Sequence, residues 1–128
     1  MDRVIHFRLD LPLQSKPRPR CTRMGRAYNP PLYAEWKHQA RDLLMAHWVE
    51  FELPTLDHFA LDLQMYGPGR SDPDNLAGAF LDAGLPCKAT GWRGCWRDDR
   101  VTVIHRLTIE WQRSKEQFWD ATFTPKSL

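Results

Sequence analysis

Phe59-Ala60-Leu61-Asp62-Leu63-Gln64-Met65-Tyr66-Gly67-Pro68-Gly69-Arg70-Ser71-Asp72-Pro73-Asp74-Asn75-Leu76 is the stretch that decides the fold. Phe59, Leu61, Leu63 and Met65 alternate with Ala60, Asp62 and Gln64, the period of a half-buried strand. Gly67-Pro68-Gly69 breaks that period. Asp72-Pro73-Asp74-Asn75 then has the chemistry of a helix start, and Leu76 to Leu85 reads as a short helix. A strand feeding a helix through a tight, acidic turn is the unit around which the remaining segments are arranged.

Upstream, Ile5, Phe7, Leu9 and Leu11 alternate with His6, Arg8 and Asp10, which predicts another half-buried strand. Asn29-Pro30-Pro31 opens a helix, with Pro tolerated in the first turn. Leu32, Trp36, Ala40, Leu43, Leu44, Trp48 and Phe51 recur at helical spacing, a stripe read as the face packed on the sheet, with Pro54 marking its end. Downstream, Val101, Val103, Leu107, Ile109 and Trp111 read as a third strand, with His105 on its apolar face as a satisfied core residue. Residues 112–128 are read as a C-terminal tail. The order implies one domain over residues 1–128, of the α/β (α+β) class, with a small mixed sheet and two helices packed on it. A sheet of about three strands is small, so pairing from a second subunit, giving a homodimer, is expected.

Composition narrows the partners. Of 128 residues, 42% are apolar and 27% charged, an ordinary globular balance. The net charge of +2 hides an asymmetry: residues 1–41 carry nine Lys/Arg against three acids, and residues 42–62 carry five acids and no Lys/Arg. Gln14 to Asn29 holds Lys16, Arg18, Arg20, Arg23 and Arg26 with no acid, and Pro17, Pro19 and Gly25 keep it out of regular structure. Such a loop suits a polyanion such as nucleic acid. Cys21, Cys87 and Cys95 are odd in number and loosely spaced, unlike a disulfide framework. No signal-peptide pattern or apolar run of membrane length is present, so a reduced, cytoplasmic protein is expected.

The acidic turn carries the chemistry. Asp72 and Asp74 stand two residues apart at a helix entrance, and Pro73 biases Asp72 to extended backbone. The positive end of the helix favours their ionised forms. A hard cation such as Mg²⁺ takes oxygen ligands and keeps several waters, so two or three Asp suffice. Asp98-Asp99 precedes the third strand, and if its entrance lies beside the first acidic turn, three or four carboxylates converge. The plainer alternative is that Asp72 caps the helix and that Asp98-Asp99 is a solvated turn. An EF-hand fails because Leu76 stands at the third ligand position. Zinc held by Cys87, Cys95 and His105 lacks a fourth ligand.

In these motifs the sequence resembles the RusA family of Holliday junction resolvases over roughly residues 5–111. Lys16-Pro17-Arg18-Pro19-Arg20 and Gly25-Arg26-Ala27-Tyr28-Asn29-Pro30 look like the basic loop and helix entry of phage-type members. Asp72-Pro73-Asp74-Asn75-Leu76 looks like the aspartate-x-aspartate-asparagine-leucine motif, and Trp96-Arg97-Asp98-Asp99 like the closing tryptophan-x-aspartate-aspartate. The resemblance implies a RusA-like homodimer that binds four-way DNA junctions and cuts two opposed strands with Mg²⁺, leaving 5′-phosphates, in DNA recombination and repair. It assigns catalysis to Asp72, Asp74 and Asp99, with Asp98 as a further metal ligand. DNA binding falls to Lys16, Arg18, Arg20, Arg23, Arg26 and Arg70. One departure stands out. The family's functional lysine, four residues after the motif's second aspartate, falls on Gly78, and Arg70, Lys88, Arg97 or Arg100 are candidates to replace it. The alternative to a resolvase is a catalytically weak binder of branched DNA. A metal-dependent phosphohydrolase of mononucleotides is disfavoured, because such a substrate needs no extended basic loop.

Overall fold

The computed structural model describes residues 3–17, 20–21, 27–28 and 31–126. Its elements are β1 (Ile5–Leu9), β2 (Arg20–Cys21), β3 (Ala27–Tyr28), α1 (Pro31–Glu50), β4 (Phe59–Gly67), α2 (Pro73–Ala83), β5 (Ile104–Arg113) and β6 (Phe118–Pro125). Four strands form one mixed sheet in the order β1-β6-β4-β5. The β1–β6 and β6–β4 pairs are antiparallel, and the β4–β5 pair, joined through α2, is parallel. The expected small α/β fold with two helices on a mixed sheet is therefore present, with one strand more than the sequence predicted. Among the described residues of the basic loop, β2 and β3 depart from the expected irregularity by pairing as a short antiparallel ribbon. Among the described residues, no helix is long and apolar enough to cross a membrane.

One face of the sheet makes the core. Ile5, Phe7 and Leu9 of β1, Phe59, Leu61, Leu63 and Met65 of β4, and Trp119, Ala121 and Phe123 of β6 are all buried. Register stacks them: Phe7 stands opposite Ala121, which stands opposite Leu63. α1 covers this face with Tyr33, Trp36, Ala40, Leu44 and Trp48. Three residues of the expected stripe fall outside that face. Leu32, Leu43 and Phe51 are exposed, because Tyr33 and Leu44 hold the packed positions and Phe51 lies past the helix end, against His47. Backbone bonds from Leu53 to Trp48 and from Glu52 to Val49, with Glu52 in the left-handed region, close α1 ahead of Pro54.

Within residues 112–128, expected as a tail, Gln112 and Arg113 end β5 and Phe118–Pro125 form β6, which lies between β1 and β4. Its small and aromatic residues interdigitate with both neighbours, so the core cannot close without it. The third strand also differs from its expectation. β5 begins at Ile104, Val101 is exposed in the preceding turn, and most of the strand is solvent-facing because it forms a sheet edge, with Ile104 buried and Ile109 half-buried against the core. His105, expected in the core, is exposed at an irregularity in the β4–β5 register, where it stacks on His58 at 4.5 Å.

Trp96 is, with Trp119, among the largest fully buried side chains. Its indole N–H donates to the Leu81 carbonyl at 3.0 Å, and its ring packs against Phe59, Phe80, Phe123 and Trp48. Gly84 faces the same ring so closely that a Cβ there would lie 2.1 Å from it. Trp96→Ala is expected to destabilise the fold by about 3–5 kcal/mol, since it opens a large cavity and strands a carbonyl. Thermal unfolding should show a midpoint lowered by roughly 10 °C or more.

Candidate metal and DNA site

Asp72 and Asp74 stand where the strand-turn-helix unit predicted, at the entrance of α2. Asp72 occupies the N-cap with extended backbone, and its carbonyl accepts the first helical bond from Leu76. Its carboxylate makes no capping hydrogen bond. The cap reading therefore describes its backbone and not its side chain. Asp72 and Asp74 are both exposed, and neither carboxylate has a hydrogen-bond or ion-pair partner among the described residues. The turn is held from below: the Trp111 indole N–H donates to the Gly67 carbonyl at 3.2 Å, and its ring lies where a Cβ on Gly69 would come within 2.9 Å. The acidic turn thus sits over the C-terminal end of β5.

Asp98 and Asp99 lie at the other end. β4 and β5 run parallel with Phe59 opposite Ile104 and Gly67 opposite Arg113. The entrance of β5 is consequently beside the start of β4, whereas Asp72 follows its end. At about 3.3 Å per residue, the ladder between them is roughly 25 Å long. Among the described residues, no group of three or more His, Cys, Asp or Glu is placed to hold a metal ion. Within one protomer the two acidic motifs do not converge. Asp98 is also committed locally: its carboxylate accepts from the Asp99 backbone N–H at 2.7 Å and pairs with Arg100 at 3.1 Å. The Asp99 N–H, aided by Arg100 and Arg97, holds the Asp98 carboxyl below its ordinary range. The Asp99 side chain adds to the same effect.

The donor chemistry at the acidic turn fits a hard cation. Two free carboxylates at a helix N-terminus offer oxygen alone, and Mg²⁺ is commonly held by one or two carboxylates with waters and substrate phosphate. Asp72 and Asp74 are the residues that would hold it. The turn is open rather than enclosed, which suits a large substrate. A cleft of about 660 Å³, lined by Leu53, Pro54, Asp57, His58 and Lys126 among others, lies at the far end, by the start of β4.

The cations divide between the same two ends. Arg97 pairs with Asp57 at 3.2 Å and Arg100 with Asp98, so both belong to the far end, and Lys88 follows the C-terminus of α2. Of the four candidates to replace a cation at residue 78, only Arg70 stands beside Asp72 in the chain. A fifth, which sequence reasoning passed over in this role, is Lys16. Its side-chain carbons pass 3.5 and 3.7 Å from where a Cβ on Gly78 would lie. Of the basic loop, Arg18, Arg23 and Arg26 lie outside the described residues, and Arg20 falls in β2.

Lys16 ends on Asp82, the centre of a half-buried polar cluster. The Tyr33 hydroxyl donates to Asp82 at 2.6 Å, with Lys37 at 3.3 Å and Lys16 at 3.7 Å. Burial opposes ionisation of Asp82, but Tyr33, Lys37 and Lys16 outweigh it and lower its pKa. The same contact and burial push the Tyr33 hydroxyl far up. The cluster ties α1 to α2 and so fixes the direction in which the acidic turn points.

Two stability measurements follow. A folded-state pKa below the unfolded value of about 3.9 stabilises the protein above that pH and is lost on acidification. Asp82→Asn should cost about 1–2 kcal/mol at pH 7, and denaturant titrations should show the gap from wild type closing below about pH 4. A Cβ at residue 78 meets Lys16 only at ordinary contact distance, so Gly78→Ala should stabilise α2 by up to about 1 kcal/mol, read as a higher denaturant midpoint. The chain matches no protein-family model and no curated protein, so the roles of these residues rest on their own geometry.

Proposed function

We propose that the chain is a homodimeric, Mg²⁺-dependent endonuclease that binds four-way DNA junctions and cuts two opposed strands. The observation that carries this reading is the placement of two exposed acidic motifs, Asp72–Asp74 and Asp98–Asp99, at opposite ends of an edge strand. β5 is ten residues long, lies at the sheet edge, and exposes Leu107 and Trp111, with Ile109 half-buried between them. Long apolar edges of this kind call for a covering partner. Two copies joined antiparallel through β5, about a two-fold axis normal to the sheet, would form one continuous sheet with the helices on one face. In an antiparallel pair the start of one strand lies beside the end of the other. Asp98 and Asp99 of the partner subunit would then approach the turn that carries Asp72 and Asp74, about two strand spacings, or ~10 Å, from the end of β4. Two composite sites related by a two-fold suit the two-fold symmetry of a four-way junction.

Asp72 and Asp74 at the entrance of α2, with Asp99 of the partner subunit, would hold a Mg²⁺ ion, which would supply polarisation of the phosphodiester and a lower pKa for an attacking water. Arg70 beside the turn, with Lys16, Arg18, Arg20, Arg23 and Arg26, holds the DNA backbone. A second reading, junction binding with little or no cleavage, is favoured by the absence of a side chain at Gly78 and by the lack of a three-acid group among the described residues of one protomer.

Nicking of a synthetic four-way junction and a matched duplex, each with and without Mg²⁺, separates the two readings. The endonuclease reading expects junction-selective nicks only with Mg²⁺, and binding without nicks supports the second. Asp72→Asn, Asp74→Asn and Asp99→Asn should each slow cleavage by roughly 100-fold or more while junction binding is kept. Mixing then tests the composite site. Neither Asp74→Asn nor Asp99→Asn homodimers carry an intact site, but each mixed dimer carries one, so about a quarter of the sites should return after subunit exchange. Mixtures that stay inactive despite confirmed exchange would rule out the shared site.

A further inference from the structure

Lys16 lies along α2 in a way that the other cations do not. Its backbone N–H donates to the Asn75 carbonyl at 2.8 Å, which pins residue 16 against the first turn of the helix. Its stem then crosses Gly78, and its Nζ ends 3.7 Å from Asp82. Asp74, Gly78 and Asp82 follow one another at four-residue spacing and so share one side of the helix. At 1.5 Å of rise per residue, Gly78 lies about 6 Å along the axis from each of them. A lysine stem lying over Gly78 can reach either carboxylate.

Its hold on Asp82 is also the weakest in the cluster. Tyr33 at 2.6 Å and Lys37 at 3.3 Å keep Asp82 partnered without it. The Lys16 side chain is 45% exposed, and a long ion pair at that exposure contributes little. An ammonium on a flexible four-carbon stem moves readily between anions.

We propose that Lys16 is a swinging cation, resting on Asp82 in the free protein and moving to a DNA phosphate at the Asp72–Asp74 turn in the complex. Its stem takes the path over residue 78, where a longer side chain would compete with it. The proposal rests on the endonuclease reading and deepens it, by naming the side chain that neutralises the phosphate under attack. In that role the ammonium stabilises charge as it develops on the phosphate, where a fixed donor has its largest effect.

Two variants test it. Lys16→Met keeps the stem over Gly78 and removes the charge. The double variant Lys16→Ala/Gly78→Lys launches an ammonium from the helix into the same channel. The readouts are single-turnover cleavage of a four-way junction at saturating Mg²⁺, and the salt dependence of junction binding in EDTA. Lys16→Met is expected to cleave about 100-fold more slowly. Its log K against log salt slope should be shallower by about 0.9, the signature of one lost phosphate contact. The double variant should recover both. A Lys16→Met protein with wild-type rate and slope overturns the proposal, and so does a loss that the double variant leaves unrepaired. Both outcomes leave the endonuclease reading standing if wild type nicks. A wild type that binds junctions without nicking removes that reading and leaves the slopes to decide the swing. A wild type that neither binds nor nicks overturns both.

Discussion

The rest of the structure depends on how Trp96 is held. Its ring fills the space between α2 and the sheet, its N–H is bonded to the Leu81 carbonyl, and Gly84 is small because the ring lies against it. Cys95 donates to the Gly84 carbonyl at 2.8 Å, and Leu56 donates to the Cys95 carbonyl at 2.8 Å, so the segment around Trp96 is fastened to the end of α2 and to the approach to β4. That fastening sets the polarity of the unit. The C-terminus of α2 is locked at the start of β4, so its N-terminus, with Asp72 and Asp74, must project at the other end. Asp98 follows Trp96 by two residues and is kept at the locked end. One buried indole thus fixes the separation of the two acidic motifs.

Much of this fold was legible in local patterns. Phe59 to Met65 alternate without exception, and Asp72-Pro73-Asp74 announces its helix, so β4 and α2 sit close to where the sequence placed them. β6 was not legible. Trp119, Ala121 and Phe123 do alternate with Asp120, Thr122 and Thr124, but Ala121 is a weak apolar mark and Phe118 interrupts the period. Its burial comes from being flanked by β1 and β4, which is a property of the topology. β5 erred in the other direction. Its apolar residues read as the clearest strand, yet they face a sheet edge, because periodicity reports that one side is apolar and not what covers that side. His105 followed from the same assumption and was undone by one irregularity in register.

The candidate site was legible in its parts and not in its assembly. The type and spacing of Asp72 and Asp74 identify oxygen ligands on a helix entrance, and both side chains are exposed with no partner among the described residues. Whether Asp98-Asp99 joins them depends on whether two strands run parallel, and local sequence carries no sign of strand direction. Likewise nothing in the neighbourhood of Gly78 discloses that Lys16, far upstream, lies across it. Contacts between distant segments are set by the packing of α1, α2 and the basic loop together. The Asp82 cluster shows this well, since Tyr33, Lys37, Lys16 and Asp82 come from three separate stretches of chain.

The place of β6 has a consequence for the order in which the protein can form during synthesis. Among the described residues β1 pairs with β6 alone, joining Ile5 to Phe123 and Leu9 to Trp119. While the ribosome is still adding the middle of the chain, β1 has no neighbour, and the edge of β4 that β6 will occupy is open. The apolar faces of α1 and β1 must wait through that interval without their final cover. Such long sequence separations slow folding and leave an incomplete sheet exposed to other chains. A nascent chain stalled before residue 118 would therefore hold its helices and the β4–α2–β5 unit, but not a closed core, and would be a target for holding chaperones until its last strand emerged.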